Sequence, residues 1–234
     1  MTRSVLVTGG NRGIGLAIAT AFAEAGDKVA VTYRTGTPPP GLFGVRCDVT
    51  EAASVGRAFE EIKAQQGAVQ VLVANAGFSR DNLFATLDDA DFTDVMDTNF
   101  MGAVRAARAA VPDMIRARWG RLIFVSSTTA FWGSGGASNY AASKSALVGL
   151  ARSLAWELGR RNITSNVVAP GLIDTDLTAD IPTAVRERVL NNTPLGRTGT
   201  AAEVAPPVRF LASAEASYIT GAVLAVGGGM AMGH

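Results

Sequence analysis

Histidine and cysteine are nearly missing from this chain of 234 residues: each occurs once. With Cys47 alone there is no internal disulfide and no cysteine-rich zinc site, and its expected role is that of a small buried apolar residue. His234, the last residue, leaves no His-based nucleophilic triad and no multi-histidine metal centre, so no metal is expected. An excess of one charge is missing as well. The 21 basic residues face 20 acidic ones, and a net charge of +1 gives no field directed at nucleic acid or membrane. No apolar run reaches the ~18 residues that span a bilayer. The opening "MTRSVLVTGG" enters an apparent strand at once, without room for a signal peptide, and the expectation is a cytoplasmic protein. Any acid–base chemistry must come from Tyr, Lys, Asp, Glu or Ser.

Apolar residues are plentiful, at 48%. "SVLVT" (4–8), "KVAVTY" (28–33), "VQVLVA" (69–74), "RLIFVS" (121–126), "ITSNVV" (163–168) and "AVLAV" (222–226) read as strands, with another within 42–49. Their nearly continuous apolar character suits strands covered on both faces. Helix-like patterns fall near 14–25, 51–66, 99–118, 139–159 and 201–212. The alternation predicts an α/β fold: a Rossmann-type, doubly wound, seven-stranded parallel sheet flanked by helices. "TGTPPPG" (35–41) is a loop too short to link domains, and no repeat or composition break divides the chain, so residues 1–234 form one expected domain.

The stretch "VLVTGGNRGIGLAIATAFAEAG" is strand, glycine turn and helix in succession. Gly9, Gly13 and Gly15 would permit a tight turn, close backbone approach to a pyrophosphate, and tight helix–strand packing. The unpaired N–H groups and the positive end of the helix favour an anion there. A glycine triplet is weak evidence by itself, since the chain has 26 glycines, but this one sits at the first strand–helix junction. The second strand ends "VTYRTG", with Arg34 where an NAD site would carry an acid, and Arg12 lies within the glycine turn. Two guanidiniums suit a 2′-phosphate, which makes NADP(H) the expected cofactor. Asp48, with Val49 beside it in "CDVT", is a candidate for the adenine.

Lysine is scarce, at Lys28, Lys63 and Lys144, and there are three tyrosines. A chance Tyr-x-x-x-Lys pair is expected about 0.04 times, yet "SNYAASK" (138–144) sets Tyr140 one helical turn from Lys144. An i,i+4 pair on a solvated helix face would be worth only a few tenths of a kcal/mol.

These residues, with "TGGNRGIG" (8–15), "VANAG" (73–77), "DTNFMGA" (97–103), "FVSSTTAFWGSGGASNYAASKSAL" (124–147) and "NVVAPGLIDTDL" (166–177), resemble the short-chain dehydrogenase/reductase family over nearly the whole chain. The resemblance implies a catalytic set of Asn99, Ser127, Tyr140 and Lys144. The family's serine stands 13 residues before its tyrosine, which selects Ser127 over Ser126. In ketone reduction Tyr140 would donate a proton, Ser127 would hold the carbonyl oxygen, and Asn99 would position a water joining Lys144 to solvent. Lys144 would hold the nicotinamide ribose. Its ammonium, with the charge of an oxidised nicotinamide, would lower a phenol pKa that is ordinarily near 10. The implied cofactor contacts are Gly9, Asn11, Arg12, Gly13, Ile14, Gly15, Arg34, Asp48, Val49, Asn75, Ala76, Gly77, Tyr140, Lys144, Pro170, Gly171, Ile173 and Thr175. The segment "LTADIPTAVRERVL" (177–190) would form a substrate lid, near 177–195.

Within the family the likeness is to bacterial 3-oxoacyl-(acyl-carrier-protein) reductases of actinobacterial and mycobacterial type, carried by "NYAASK", "NVVAPG-IDTD" and "FLAS--ASYI-GAV". It implies NADPH-dependent reduction of a 3-oxoacyl thioester in fatty-acid elongation, a homotetramer, and an acidic carrier protein docking on Arg118 and Arg161. The tetramer would pair the long helices near 99–118 and 139–159. Phe131 and Trp132 could line an acyl slot or simply pack. Gly227 departs from the Asp or Asn usual before the glycine pair, which puts the C-terminal contacts between subunits in question. Two rivals stand beside this reading. One is a ketoreductase of polyketide or other specialised metabolism with the same catalytic residues. The other is a non-catalytic dinucleotide sensor, which the intact Tyr-x-x-x-Lys and serine oppose.

Overall fold

The computed structural model describes residues 2–179 and 181–232, so His234, and Asp180 of the expected lid, lie outside the described residues. The strands form where β-branched residues and leucines cluster: β1 (Ser4–Val7), β2 (Lys28–Tyr33), β3 (Phe43–Arg46), β4 (Val71–Ala74), β5 (Gly120–Val125) and β6 (Ile163–Pro170). Two short strands follow, β7 (Ile173–Asp174) and β8 (Gly199–Thr200), and then β9 (Val223–Val226). The main sheet has seven strands in the order β3-β2-β1-β4-β5-β6-β9, every ladder parallel, while β7 and β8 pair separately.

The helices are α1 (Gly13–Glu24), α2 (Ala52–Gln66), α3 (Asp89–Met96), α4 (Gly102–Ala117), α5 (Thr129–Trp132), α6 (Ser138–Leu158), α7 (Thr183–Asn191) and α8 (Ala201–Leu211). Alternate strand residues feed two cores. Val5, Val7 and Ile123 pack with Ile18 and Phe22 of α1 and with Val204 and Leu211 of α8. Leu6, Leu72, Leu122 and Phe124 pack on the other face with Ile62 of α2, Met114 of α4 and Leu147 of α6. Burial on both faces is why the strands read as unbroken apolar runs. From β1 the chain winds one way to β2 and β3, then the other way to β4 and beyond. The crevice at that reversal, outside the C-terminal strand ends, is where open parallel sheets bind ligands.

The helices expected at 14–25, 51–66, 139–159 and 201–212 match within a residue at each end. The one expected at 99–118 begins earlier. Asp88 caps α3, its carboxylate accepting the Asp91 N–H at 2.9 Å while Asp91 accepts the Asp88 N–H at 3.0 Å. From α3 the chain continues through a π-helical stretch, Asp97–Met101, directly into α4. Arg105 braces this widened turn by donating to the Asp97 carboxylate at 2.7 Å. Among the described residues no helix is long and apolar enough to cross a membrane.

Candidate active site

Between β1 and α1 the backbone folds into a cradle that only glycine allows. Gly9 and Gly13 have φ of +63° and +54°. A Cβ on Gly15 would stand 2.4 Å from the Gly9 carbonyl oxygen and 2.5 Å from Asn75 Nδ2, and one on Gly9 would stand 2.9 Å from Ala76 Cα. Thr8 and Asn75 lock this turn to the end of β4. Thr8 Oγ1 accepts the N–H groups of Asn75 and Ala76, while Asn75 Nδ2 donates to the carbonyls of Thr8 and Gly9. A cavity of about 390 Å³ opens over the turn, lined by Gly9, residues 11–15, Arg34, Asp48, Val49 and residues 75–77. The expected contacts at the glycine turn and the second to fourth strand ends are therefore brought together. The cradle and the N-terminal end of α1 fit the pyrophosphate of a dinucleotide, and the Arg12 and Arg34 guanidiniums add positive charge to the same cavity.

Charges line this cavity in pairs. Burial would push the Asp48 carboxyl up, but hydrogen bonds from Thr50 and the Arg34 and Arg105 guanidiniums outweigh it and hold it below the usual range. Arg12 Nη1 lies 3.9 Å from Asp176 Oδ2. Cys47 is buried at the cavity wall, as expected, and burial pushes its thiol pKa up.

A second cavity, of about 110 Å³, adjoins the first through Ile14, Asn75, Gly77, Thr175 and Leu177. Ser127, Tyr140, Lys144, Pro170, Gly171 and Ile173 line it. Ser127 follows β5, Pro170 closes β6, and α6 brings Tyr140 and Lys144 across on one face. Lys144 Nζ donates to the Val125 carbonyl at 2.9 Å and sits 5.7 Å from the Tyr140 ring centroid. Ser127 Oγ donates to Thr129 Oγ1 at 3.1 Å and accepts the Thr129 N–H at 3.2 Å. Ser126, its neighbour, also lines this cavity, but its hydroxyl donates to the Lys144 carbonyl at 2.8 Å.

Two expectations bear on the physical state of these groups. Burial pushes the Tyr140 pKa up to about 12, with the Asp81 charge adding to the rise and a hydrogen bond with Ser127 opposing it. The lowering expected from Lys144 together with an oxidised nicotinamide concerns the cofactor-bound chain; in the chain by itself burial dominates. Burial also brings Lys144 down to about 8, through loss of water from the ammonium. The carboxamide of Asn99 is engaged by three hydrogen bonds, so the water expected beside this residue falls to its main-chain carbonyl or the remaining Oδ1 lone pair. Its Oδ1 accepts the Phe78 N–H at 2.9 Å, and its Nδ2 donates to the Phe78 carbonyl at 2.9 Å and to Ser143 Oγ at 3.0 Å. Ser143 Oγ passes the contact on to the Tyr140 carbonyl at 2.8 Å. Asn99 is buried behind the cavity and ties the π-helical stretch to the helix that carries the phenol.

The expected lid is a 3-10 turn, Asp176–Thr178, followed by α7. Arg186 straps the two together, donating to Asp174 Oδ1 at 2.9 Å and to the Thr178 carbonyl at 3.0 Å. Leu177 faces both cavities. Trp132 is exposed and lines neither cavity, whereas Phe131 is half-buried. Arg118 reaches the turn that holds Arg161, its Nη2 lying 3.5 Å from the carbonyl of the preceding residue, Arg160. Arg118 and Arg161 precede β5 and β6, however, whereas Ser127 and Pro170 stand at the opposite ends of those strands. About 20 Å of sheet therefore separates them from the cavity. The Gly227 departure has a cause within the chain. A Cβ there would stand 2.7 Å from Thr128 Cγ2, and Gly171 packs against the Gly227 backbone.

Sequence reasoning missed Asp81, Ser143 and Asp176. Asp81 carries no motif of its own, while Ser143 lay unremarked inside "SNYAASK" and Asp176 inside "LIDTDL". Among the described residues no group of three or more His, Cys, Asp or Glu could hold a metal ion.

Comparison with known proteins agrees with this geometry. Residues 9–231 match the family model described as enoyl-(acyl carrier protein) reductase. Over 234 residues, all of this chain and 95% of the relative, it is 52% identical to the Mycobacterium tuberculosis protein named 3-oxoacyl-(acyl-carrier-protein) reductase MabA. It is 50% identical to the Mycobacterium avium protein of the same name, over all of this chain and 92% of the relative. To the Escherichia coli protein named 3-oxoacyl-(acyl-carrier-protein) reductase FabG it is 43% identical, over 97% of this chain and 96% of the relative.

Proposed function

The chain belongs to the short-chain dehydrogenase/reductase family, and on that footing we propose that it is an NADPH-dependent reductase of 3-oxoacyl thioesters carried by an acyl carrier protein, forming the 3-hydroxyacyl product in fatty-acid elongation. One observation carries the reading. Ser127, Tyr140 and Lys144 share a small cavity that opens into the glycine-lined cleft.

Bound NADPH supplies the hydride. Tyr140 gives its proton to the ketone oxygen; a phenol held near 12 is fully protonated at neutral pH and enters the reaction as the acid. Ser127 donates a hydrogen bond to the same oxygen and fixes its direction. Lys144 keeps one donor on the Val125 carbonyl and has two more for the ribose hydroxyls. Near pH 7 its amine, at about 8, is mostly charged, and that charge favours the phenolate left after proton transfer. Asn99 holds α6 in place behind the phenol, in the positioning role its three hydrogen bonds support. Arg12 and Arg34 take the 2′-phosphate, which favours NADPH over NADH. Leu177 and α7 cover the acyl chain.

The assembly is a homotetramer in which α4 and α6 pair with their counterparts, a role that Trp156, 90% exposed on α6, supports. From their end of the sheet Arg118 and Arg161 can serve a neighbouring subunit's cleft but not their own, which makes carrier docking depend on that assembly. The enzyme works in the cytoplasm.

The test is oxidation of NADPH, and separately of NADH, with acetoacetyl-CoA as the thioester. NADPH-dependent turnover that falls about 10²–10⁴-fold in Tyr140→Phe is the expected result. Turnover with NADH alone removes the cofactor assignment. Activity on free ketones but not on thioesters moves the substrate to specialised metabolism. Tight NADPH binding without turnover on any ketone removes the reductase reading.

A further inference from the structure

Arg12 carries much of the proposed preference for a 2′-phosphate, and in this structure it already faces an anion. Its Nη1 lies 3.9 Å from Asp176 Oδ2 at the mouth of the cofactor cavity, which both residues line. The side chains are 71% and 78% exposed, so a phosphate has access to the guanidinium and the pair is weak enough to be displaced.

Asp176 nevertheless sits on a pinned turn. The Thr175 N–H donates to Thr178 Oγ1 at 3.1 Å, and Thr178 Oγ1 donates on to the Ile173 carbonyl at 2.7 Å. The Thr178 N–H returns to the Thr175 carbonyl at 3.0 Å. Arg186 ties the Thr178 carbonyl to α7. On its other side the turn rests on the glycine cradle, where a Cβ on Gly13 would stand 3.6 Å from Thr175 Cγ2. The charged residues lining the cavity are Arg12, Arg34, Asp48 and Asp176, so each guanidinium has a carboxylate within its reach.

We propose that Asp176 is a specificity-determining residue for the dinucleotide, competing with the 2′-phosphate for Arg12 and so setting how strongly the phosphorylated cofactor is preferred. The proposal rests on the NADP(H) reading above. A dinucleotide without the 2′-phosphate leaves the Arg12–Asp176 pair in place and gains nothing when the carboxylate is removed. One with it must displace the carboxylate and then meets its repulsion. A carboxylate about 7 Å from a phosphate dianion weakens binding by about two- to sevenfold in water at moderate salt.

The test titrates NADPH and NADH into the full chain, followed by the fluorescence of the reduced nicotinamide, for wild type, Asp176→Asn, Arg12→Ala and the double variant. In Asp176→Asn the Kd for NADPH is expected to fall by about two- to sevenfold, with NADH unchanged. The gain is expected to vanish in the Arg12→Ala background and to shrink at high salt. Equal tightening for both cofactors overturns the proposal, because the carboxylate then acts on the shared pyrophosphate. A gain that persists without Arg12, or no gain at all, also overturns it. Wild type that binds NADH as well as NADPH, with Arg12→Ala leaving both unchanged, overturns the NADP(H) reading itself. A wild-type preference that Asp176→Asn does not move overturns only the competition.

Discussion

Replacing Lys144 with methionine is expected to make the cofactor-free protein more stable while destroying its activity. Lys144 is 4% exposed, and burial brings its amine from 10.5 to about 8. Below that folded value the gap amounts to roughly 3 kcal/mol against the native state, at about 1.36 kcal/mol per tenfold change in the proton equilibrium. Methionine matches the length of the side chain without its charge, but it leaves the Val125 carbonyl without a donor, which costs about 1 kcal/mol. The net gain at pH 7 is about 2 kcal/mol, or roughly 4–8 °C in Tm for a chain of this size. Its sign has a pH signature. The folded pKa lies below the unfolded one, so between about 8 and 10.5 the unfolded chain holds more protons and wild-type stability rises with pH. The variant's advantage should therefore shrink toward zero by about pH 9.5. Urea denaturation at pH 7 and 9.5, at equal protomer concentration and without cofactor, reads both quantities. A variant less stable than wild type at pH 7, or an advantage indifferent to pH, would refute the argument that the ammonium is held against its own desolvation.

Asp81→Asn removes a charge that helps keep the Tyr140 phenol protonated, so the alkaline limb of kcat/KM for reduction should move to lower pH; an unmoved limb would separate the two groups. Asn99→Ala deletes three hydrogen bonds, one of them buried, and should cost about 2–4 kcal/mol by urea denaturation; a loss under 1 kcal/mol would show that Phe78 and Ser143 find other partners. Gly227→Asp drives a Cβ against Thr128 Cγ2 and should destabilise by about 1–3 kcal/mol, with Thr128→Ser restoring most of it by removing that methyl; failure of the second change to rescue would place the strain elsewhere.

The strands and most helices were legible because their signals are local. A parallel strand buried on both faces announces itself as an apolar run, and helix ends follow spacing and capping. The early start of the helix pair around Asp97 was legible too, in the Asp88–Asp91 cap, though the motif at 97–103 drew the boundary later. The opposite-end position of Arg118 and Arg161 could also have been deduced, since each precedes a strand whose far end carries the site.

Which residues meet at the site was likewise written in the chain. Gly9, Gly13 and Gly15, Ser127, and Tyr140 with Lys144 stand at strand ends and one helical turn apart, positions that topology converts directly into proximity. What the tertiary structure alone decided was their physical state. A phenol near 12 and an amine near 8 follow from how much water the surrounding side chains exclude, a many-body property that no spacing encodes. The employment of Asn99 by Phe78 and Ser143, and of Asp176 by Arg12, depends in the same way on side chains distant in sequence arriving within 4 Å. Local pattern determines which groups are delivered to the cleft; packing determines their charge and their partners once there.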